Sequence, residues 1–166
     1  SFSDEGRGLP TQGQWRQGFA VVDFNGDGLL DIVHGSPRRG STSPAVFLND
    51  GKGSWTRKPL PTVRQSTDYD YGDVAVADFN GDSRRDLAVL NVQSGTVSVL
   101  RGNGDGTLQP AVDYATGAGA HSLAVGDFNA DSRPDLATAN SSGIGVLLNN
   151  GSGAFGASTS VSVPDS

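Results

Sequence analysis

The sequence contains one nine-residue acidic motif three times, and this repetition constrains the fold more than any other feature. The copies read DFNGDGLLD, DFNGDSRRD and DFNADSRPD, and they begin at Asp23, Asp78 and Asp127, which are 55 and 49 residues apart. A glycine-rich landmark (LNDGKGSW, LRGNGDGTL, LNNGSGAF) follows each copy, with starts 52 and 48 residues apart. Two landmarks with matching periods indicate three copies of one supersecondary unit.

Within each copy, short apolar segments alternate with Gly, Asn, Asp and Ser, which is typical of strands and turns. Near-continuous apolar runs such as VAVA favour strands that are covered on both faces. The predicted strands are 19–22, 32–34, 46–48 and 55–60 in the first copy, 73–77, 87–91, 96–100 and 108–114 in the second, and 122–125, 136–140, 143–148 and 155–161 in the third.

Four antiparallel strands repeated about every 50 residues are typical of β-propeller blades, whereas the coils of a β-solenoid, the competing fold, are much shorter. We therefore predict an all-β chain, one β-propeller segment over residues 1–166, with four-stranded antiparallel blades at 11–62, 63–114 and 115–166. Residues 1–10 resemble the outer strand of a preceding blade. Closed propellers typically have about four to eight blades, so three blades predict a segment of a larger propeller or a protomer that closes a ring with copies of itself.

The three acidic motifs are predicted metal loops between the first and second strands of each blade. Side-chain oxygens at positions 1, 3, 5 and 9, with a backbone carbonyl at position 7, match the oxygen ligands of Ca²⁺; Mg²⁺ usually keeps several waters and fits less well. The predicted ligands are Asp23, Asn25, Asp27, Leu29 (carbonyl), Asp31, Asp78, Asn80, Asp82, Arg84 (carbonyl), Asp86, Asp127, Asn129, Asp131, Arg133 (carbonyl) and Asp135.

The acidic motifs also have a simpler interpretation, because Asp, Asn and Gly make turns without any metal. The three loops also differ from one another in sequence. Gly28 holds the sixth position of the first loop, where the other loops have Ser83 and Ser132, and Ala130 replaces a glycine of the first two loops. If those positions require a positive φ, the later loops are strained, and the first loop is the most secure site.

The three loops and the glycine-rich hairpins resemble the FG-GAP/VCBS repeat family, the calcium-loop propeller repeats of integrin α-subunit heads and of many secreted bacterial proteins. The resemblance covers nearly the whole chain, and GFAVVDFNGDGLLDIVHGSP approximates the family's Phe-Gly and Gly-Ala-Pro landmarks, with Ser36 in place of Ala. It implies a β-propeller and a secreted or cell-surface location. The fold alone does not distinguish adhesion heads from lectins or from propeller modules of enzymes.

Composition and the absence of catalytic motifs argue against several classes of function. A formal net charge of -6 argues against nucleic acid as a partner, and the absence of Cys removes thiol catalysis and zinc-thiolate sites. No apolar run reaches the roughly 18 residues of a membrane span. His34 and His121 are far apart in the sequence, and no GxSxG, HExxH or Walker motif occurs, so we predict no enzymatic activity.

A ligand surface is predicted on the face opposite the metal loops, because alternate loops of antiparallel strands emerge together. It contains Arg38, Arg39, Tyr69 and Tyr71, which offer donors for an anion and rings for a sugar or peptide. The leading hypothesis is a calcium-stabilised propeller segment that binds an unidentified protein or glycan outside the cell. A carbohydrate-binding lectin and a module of a carbohydrate-active enzyme are the alternatives.

Overall fold

The computed structural model describes residues 18–35, 44–61, 71–141 and 143–161, which form three four-stranded antiparallel sheets. In each sheet, neighbouring strands follow one another along the chain. The first sheet contains β1 (Phe19–Val22), β2 (Asp31–His34), β3 (Ala45–Asn49) and β4 (Trp55–Pro59). The second contains β5 (Tyr71–Ala77), β6 (Asp86–Asn91), β7 (Thr96–Leu100) and β8 (Val112–Ala115). The third contains β9 (Ser122–Gly126), β10 (Asp135–Asn140), β11 (Gly143–Leu147) and β12 (Thr159–Val161).

The predicted all-β propeller-blade fold is confirmed, and the first three strands of each sheet lie within two residues of their predicted ends. The fourth strands of the second and third sheets are shorter than predicted. Leu108 and Phe155, where those strands were expected to begin, make only isolated bridges to the preceding strand segment. In the second sheet, Pro110 interrupts the pairing because it has no N–H for the ladder.

Two apolar clusters hold the sheets face to face. The cluster between the first and second sheets includes Phe24, Val33, Val46, Val74, Leu87, Val89, Leu100 and Leu108. The cluster between the second and third includes Phe79, Ala88, Leu90, Val97, Leu123, Leu136, Leu147 and Phe155. Successive residues of β6 therefore pack into different clusters, and the whole strand is buried. This confirms, for the central blade, that the apolar runs are covered on both faces.

The three sheets form an arc with their first strands on the inside, where β1 contacts β5 and β5 contacts β9. The backbones of the first and second sheets approach closely at this point. A Cβ on Gly18 would lie 2.5 Å from the Asp73 Cα, and glycine avoids this clash because it has no Cβ. Asp73 also links the second and third blades, since its carboxylate accepts bonds from the Ser122 hydroxyl and the Leu123 N–H, both at 3.2 Å.

Among the described residues, no helix is long and apolar enough to cross a membrane. The proposed outer strand at residues 1–10 lies outside the described residues, and the predicted blade limits at 11–62, 63–114 and 115–166 stay predictions. The described sheets form an open arc of three blades and do not close a ring.

Candidate metal loops

The first aspartate of each acidic loop closes the loop on itself. In the first loop, Asp23 Oδ1 accepts the N–H groups of Gly26 (2.8 Å) and Asp27 (3.1 Å), and Oδ2 accepts that of Gly28 (2.9 Å). Asp78 accepts the equivalent three bonds at 2.7 to 3.1 Å. In the third loop, bonds from backbone N–H groups, that of Ser132 first, lower the pKa of Asp127. The same turn therefore recurs in all three blades.

Positions 3 and 5 form a second repeated unit inside the turn. Asn25 Nδ2 donates to Asp27 Oδ2 at 2.8 Å, and the N–H of Leu29 donates to Asp27 Oδ1 at 2.8 Å. The second and third loops repeat both bonds at 2.8 to 3.1 Å. Oxygen-bearing side chains at positions 1, 3 and 5 thus lie together on one exposed loop, as the sequence predicts.

The ninth position differs from the others, because its aspartate is buried. Asp31, Asp86 and Asp135 are each 0% exposed. One oxygen accepts the N–H of the Phe that follows the first Asp, at 2.9 to 3.0 Å. The other accepts an N–H from the end of the third strand or the residues directly after it, where the hairpin to the fourth strand begins, at 2.8 to 2.9 Å. These donors are Asn49, Gly102 and Asn149.

The ninth aspartate therefore ties the acidic loop to the neighbouring hairpin, a structural role that the sequence pattern did not predict. Burial raises the pKa of Asp86, and the N–H groups of Gly102 and Phe79 partly offset that effect. The nearby charges of Asp82 and Asp78 raise it further. Repulsion within this cluster is the electrostatic condition that a bound cation relieves.

The loop chemistry fits a hard cation, with one restriction. A carboxylate oxygen has two lone pairs, so an oxygen that accepts one N–H bond retains one for a metal. Carboxylate, amide and carbonyl oxygens are the donors that Ca²⁺ prefers. Among the described residues, however, no group of three or more acidic or His side chains is already gathered closely enough to hold a metal by itself. The Asn oxygen at position 3 and the carbonyl at position 7 are therefore needed to complete a shell.

Backbone geometry confirms that the loops require a positive φ. Gly26 and Gly28 have φ of 78° and 85° in the first loop. Ser83, Ala130 and Ser132 adopt 67°, 61° and 66° in the later loops, a region that residues with a Cβ rarely occupy. The later loops therefore carry backbone strain that the first loop avoids.

Three residues of the predicted ligand surface, Arg38, Arg39 and Tyr69, lie outside the described residues, and the fourth, Tyr71, is the first residue of β5. Of the two histidines, His34 is buried and stacks on Phe47 with ring centroids 5.4 Å apart. Burial and then the charge of Arg57 lower the pKa of His34, which favours the neutral ring.

A groove of about 460 Å³ runs between the outer edges of the second and third blades. The Tyr114 and Phe155 rings, Asp113, Ser158 and Ser160 are among the residues that line it. The two rings meet edge to face at 5.4 Å. The groove could not be predicted from the sequence, because Tyr114 and Phe155 lie in different predicted strands and the packing of two blades brings them together.

Comparisons with known proteins support the propeller-blade fold. The family model of FG-GAP-like repeats matches residues 36–89 and 78–138, and the family model of FG-GAP repeats matches residues 16–53. Integrin alpha-V of Gallus gallus is 36% identical over 70 residues, which are 42% of this chain and 7% of that protein. This chain thus corresponds to a small part of the relative.

Two solved structures share the fold. One is an Agrocybe aegerita lectin that specifically recognises non-reducing terminal N-acetylglucosamine, with a TM-score of 0.62 and 24% identity over 87% of this chain and 39% of the lectin. The other is the Tc holotoxin pore of Photorhabdus luminescens, with a TM-score of 0.52 and 17% identity over 89% of this chain and 7% of the toxin chain.

Proposed function

Because the chain belongs to the family of FG-GAP-like repeats, we propose that it is a non-catalytic, calcium-stabilised propeller segment that binds a protein or glycan outside the cell. The observation that carries the proposal is the acidic loop itself, repeated in three blades with the same internal hydrogen bonds. A single such loop is explained by turn formation alone. Three in register, each closed by its first aspartate and tied to the neighbouring hairpin by a buried ninth aspartate, favour a shared ligand.

Calcium would act as a structural ion. Positions 1, 3, 5 and 9 and the carbonyl at position 7 would hold it, and the ion would balance the negative charge of the three aspartates in each loop. Nine of the 18 acidic residues belong to these loops, and three Ca²⁺ ions would balance the formal charge of -6. The acidity of the chain is thus explained by a cation and says little about the ligand.

Location and lack of catalysis are part of the same proposal. Similarity to integrin alpha-V of Gallus gallus supports a place on the cell surface or in the extracellular space, where Ca²⁺ is abundant enough to fill modest sites. The exposed carboxylates of the loops are assigned to the cation, and His34 is buried against Phe47 and so is not presented to a substrate. Turnover of a glycoside by this chain alone would contradict the non-catalytic assignment.

Calcium titration tests the proposal. At a free Ca²⁺ concentration of one hundred times Kd, one site adds about 2.7 kcal/mol to the free energy of unfolding. We expect the melting temperature to rise with Ca²⁺, to rise much less with Mg²⁺, and to fall again in EDTA. Asp27→Asn, Asp82→Asn and Asp131→Asn together should abolish the response, because each removes a position-5 carboxylate. Identical melting of the wild type in Ca²⁺ and EDTA would show that the loops are only turns.

The groove between the second and third blades favours a second candidate, carbohydrate binding. Its Tyr114 and Phe155 rings provide apolar surface, while Asp113, Ser158 and Ser160 provide hydrogen-bonding groups at the same opening. Such a mixture of apolar and polar groups suits a sugar ring, and the similarity in fold to an N-acetylglucosamine-binding lectin supports this candidate. Glycan-array binding that is lost in Tyr114→Ala but kept in Tyr69→Ala and Tyr71→Ala would favour this groove; loss in the latter two would favour the loop surface instead.

A further inference from the structure

Four Asn-Gly pairs occur in the chain, at residues 25–26, 80–81, 103–104 and 150–151. Asparagine is a thermolabile residue, because the nitrogen of the next peptide unit can attack its side-chain amide carbon, Cγ. Glycine in the next position favours this attack, since it has no Cβ to hinder the approach and adopts many backbone conformations. The attack requires a free N–H group, because a nitrogen that donates to an acceptor keeps its proton and is held away from Cγ. The state of the glycine N–H therefore separates stable pairs from labile ones.

Three of the four pairs hold this N–H group in a hydrogen bond to a side-chain oxygen of the same turn, at 2.7 to 2.9 Å. The fourth pair is different, because among the residues that the structure describes no oxygen accepts the N–H of Gly104. Of the four asparagines, Asn103 is therefore the one that precedes an unbonded nitrogen in the described part of the chain. The bonds of the other pairs run from Gly26 to Asp23, from Gly81 to Asp78 and from Gly151 to Asn149.

This unbonded N–H group has a structural cause in the hairpin between β7 and β8. In the first and third blades, an asparagine two residues before the hairpin glycine accepts its N–H through Oδ1, at 2.9 Å in both. In the second blade the equivalent residue is Gly102, which makes the same backbone bond to the ninth aspartate but has no side chain. A Cβ at Gly102 would lie 2.0 Å from the Arg85 carbonyl oxygen. The backbone therefore excludes an asparagine at this position, and the N–H of Gly104 loses its acceptor.

The side chain of Asn103 is also open to solvent. It makes two exposed hydrogen bonds, since Nδ2 donates to Thr107 Oγ1 at 2.9 Å and Oδ1 accepts from Gln109 Nε2 at 3.3 Å. Water replaces exposed bonds of this kind at little cost, so they do not stop Cγ from turning towards the nitrogen of Gly104. The water that a loss of the amide consumes is present at the same place.

From this contrast we propose that Asn103 is a site of spontaneous deamidation and that the asparagines of the other three pairs are protected. Hydroxide removes the N–H proton of Gly104, and the nitrogen attacks Asn103 Cγ. A bond forms between these two atoms, the bond from Cγ to Nδ2 breaks, and Nδ2 leaves as ammonia with a proton from water. A water molecule then opens the cyclic imide at either carbonyl, which leaves aspartate or isoaspartate at position 103. In sum, one amide and one water become one carboxylic acid and one ammonia, with no change of oxidation state.

Deamidation alters the hairpin that is tied to the second acidic loop. The donor to Thr107 Oγ1 is lost, and a new carboxylate joins Asp105 in the same short hairpin. The isoaspartate form also adds one CH₂ group to the main chain directly after residue 103. The adjacent Gly102 donates its N–H to the buried Asp86 at 2.8 Å. The modification therefore acts on the tie between the second loop and its blade, whether or not calcium is bound.

Peptide mapping by mass spectrometry tests the site. The folded 166-residue chain is incubated in mildly alkaline buffer with either Ca²⁺ or EDTA, and the loss of the amide at each Asn-Gly pair is followed with time. In both buffers we expect Asn103 to react about tenfold faster than Asn150, because the N–H bond of Gly151 must break first. Asn150 is the matched control, since it has the same next residue and the same place in its hairpin. Equal rates at these two residues, or faster loss at Asn25, Asn80 or Asn150, would overturn the proposal.

Two variants separate the assigned cause from general unfolding. Asn149→Ala removes the acceptor of the Gly151 N–H, so the rate at Asn150 should rise relative to that at Asn25, a ratio that a general loss of stability leaves unchanged. An unchanged ratio overturns the assigned cause. Asn103→Gln should remove the fast reaction with unchanged circular dichroism, because glutamine would have to close a larger ring; a fast reaction that persists overturns the site. A missing calcium response with selective loss at Asn103 would reject only the proposed function.

Discussion

The buried ninth aspartate gives the sharpest test of how each acidic loop is held to the rest of its blade. In the second blade, Asp86 is 0% exposed and accepts the N–H groups of Phe79 at 2.9 Å and Gly102 at 2.8 Å. Asp86→Asn keeps the shape but replaces one acceptor oxygen by an NH₂ group that faces a donor. One buried backbone N–H is then left without a partner.

The expected loss follows from that single unsatisfied donor. Leaving a buried donor without a partner costs about 1–3 kcal/mol, and a hydrogen bond to a charged group is worth about 1.5–3 kcal/mol. Burial raises the pKa of Asp86, so the neutral Asn avoids part of the desolvation cost that the carboxylate bears. We therefore expect the free energy of unfolding to fall by about 2 kcal/mol, which lowers Tm by about 4–8 °C for a chain of this size.

Urea unfolding in excess EDTA measures this loss without any contribution from calcium. The matched control is Asp82→Asn, an exposed position in the same loop whose carboxylate bonds only within the loop. Its cost in EDTA should stay within about 0.5 kcal/mol, as for most surface changes. Equal stability of the two variants in EDTA would refute the argument that the ninth aspartate ties the loop to the hairpin.

Three further predictions use the same unfolding assay. Ala130→Gly should raise the free energy of unfolding by about 1 kcal/mol, because it relieves a φ of 61°; a loss would contradict the strain. Asn149→Ala should cost about 1–3 kcal/mol and exceed Asn49→Ala, since Asn149 Nδ2 donates across the blades to the Phe79 carbonyl at 2.8 Å, whereas the bond of Asn49 Nδ2 to the Leu30 carbonyl stays within its own blade. Because its folded pKa is lowered, His34 supports stability above pH 6.5 and loses that support as pH falls through the folded value. His34→Phe should therefore lose less free energy of unfolding than the wild type between pH 7 and pH 5. Equal losses in the two proteins would contradict this role of His34.

The strands and loops could be predicted because their signals are local. Predicted β7 agrees residue for residue with Thr96–Leu100, where an apolar run lies between turn-forming residues. The fourth strands were predicted too long because an outer strand has few partners, and one proline is enough to interrupt its ladder. Local patterns do not show how far an edge strand stays paired.

The role of the ninth aspartate could not be predicted, because its second partner lies in a different hairpin. Aligning the glycine-rich landmarks puts Arg101 at the position of Asn49 and Asn149, whereas the bond to Asp86 comes from Gly102. The second hairpin is thus offset by one residue, which only the bond pattern reveals. The interface role of Phe79 was hidden for the same reason, since its partner Phe155 is 76 residues away in the sequence.

The acidic loop and the blade interface are mechanically one unit, because both depend on the residue after the first aspartate. The N–H of Phe79 bonds to Asp86 within its own blade, while its ring packs on Phe155 of the next blade. Any change that reorients the loop backbone therefore moves an interface side chain, and a cation that orders the loop also orders the contact between blades. Chelation should consequently increase hydrogen exchange at the N–H of Phe79 more than at Val112 on the outer strand. Equal increases at both positions would mean that the loop and the interface are independent.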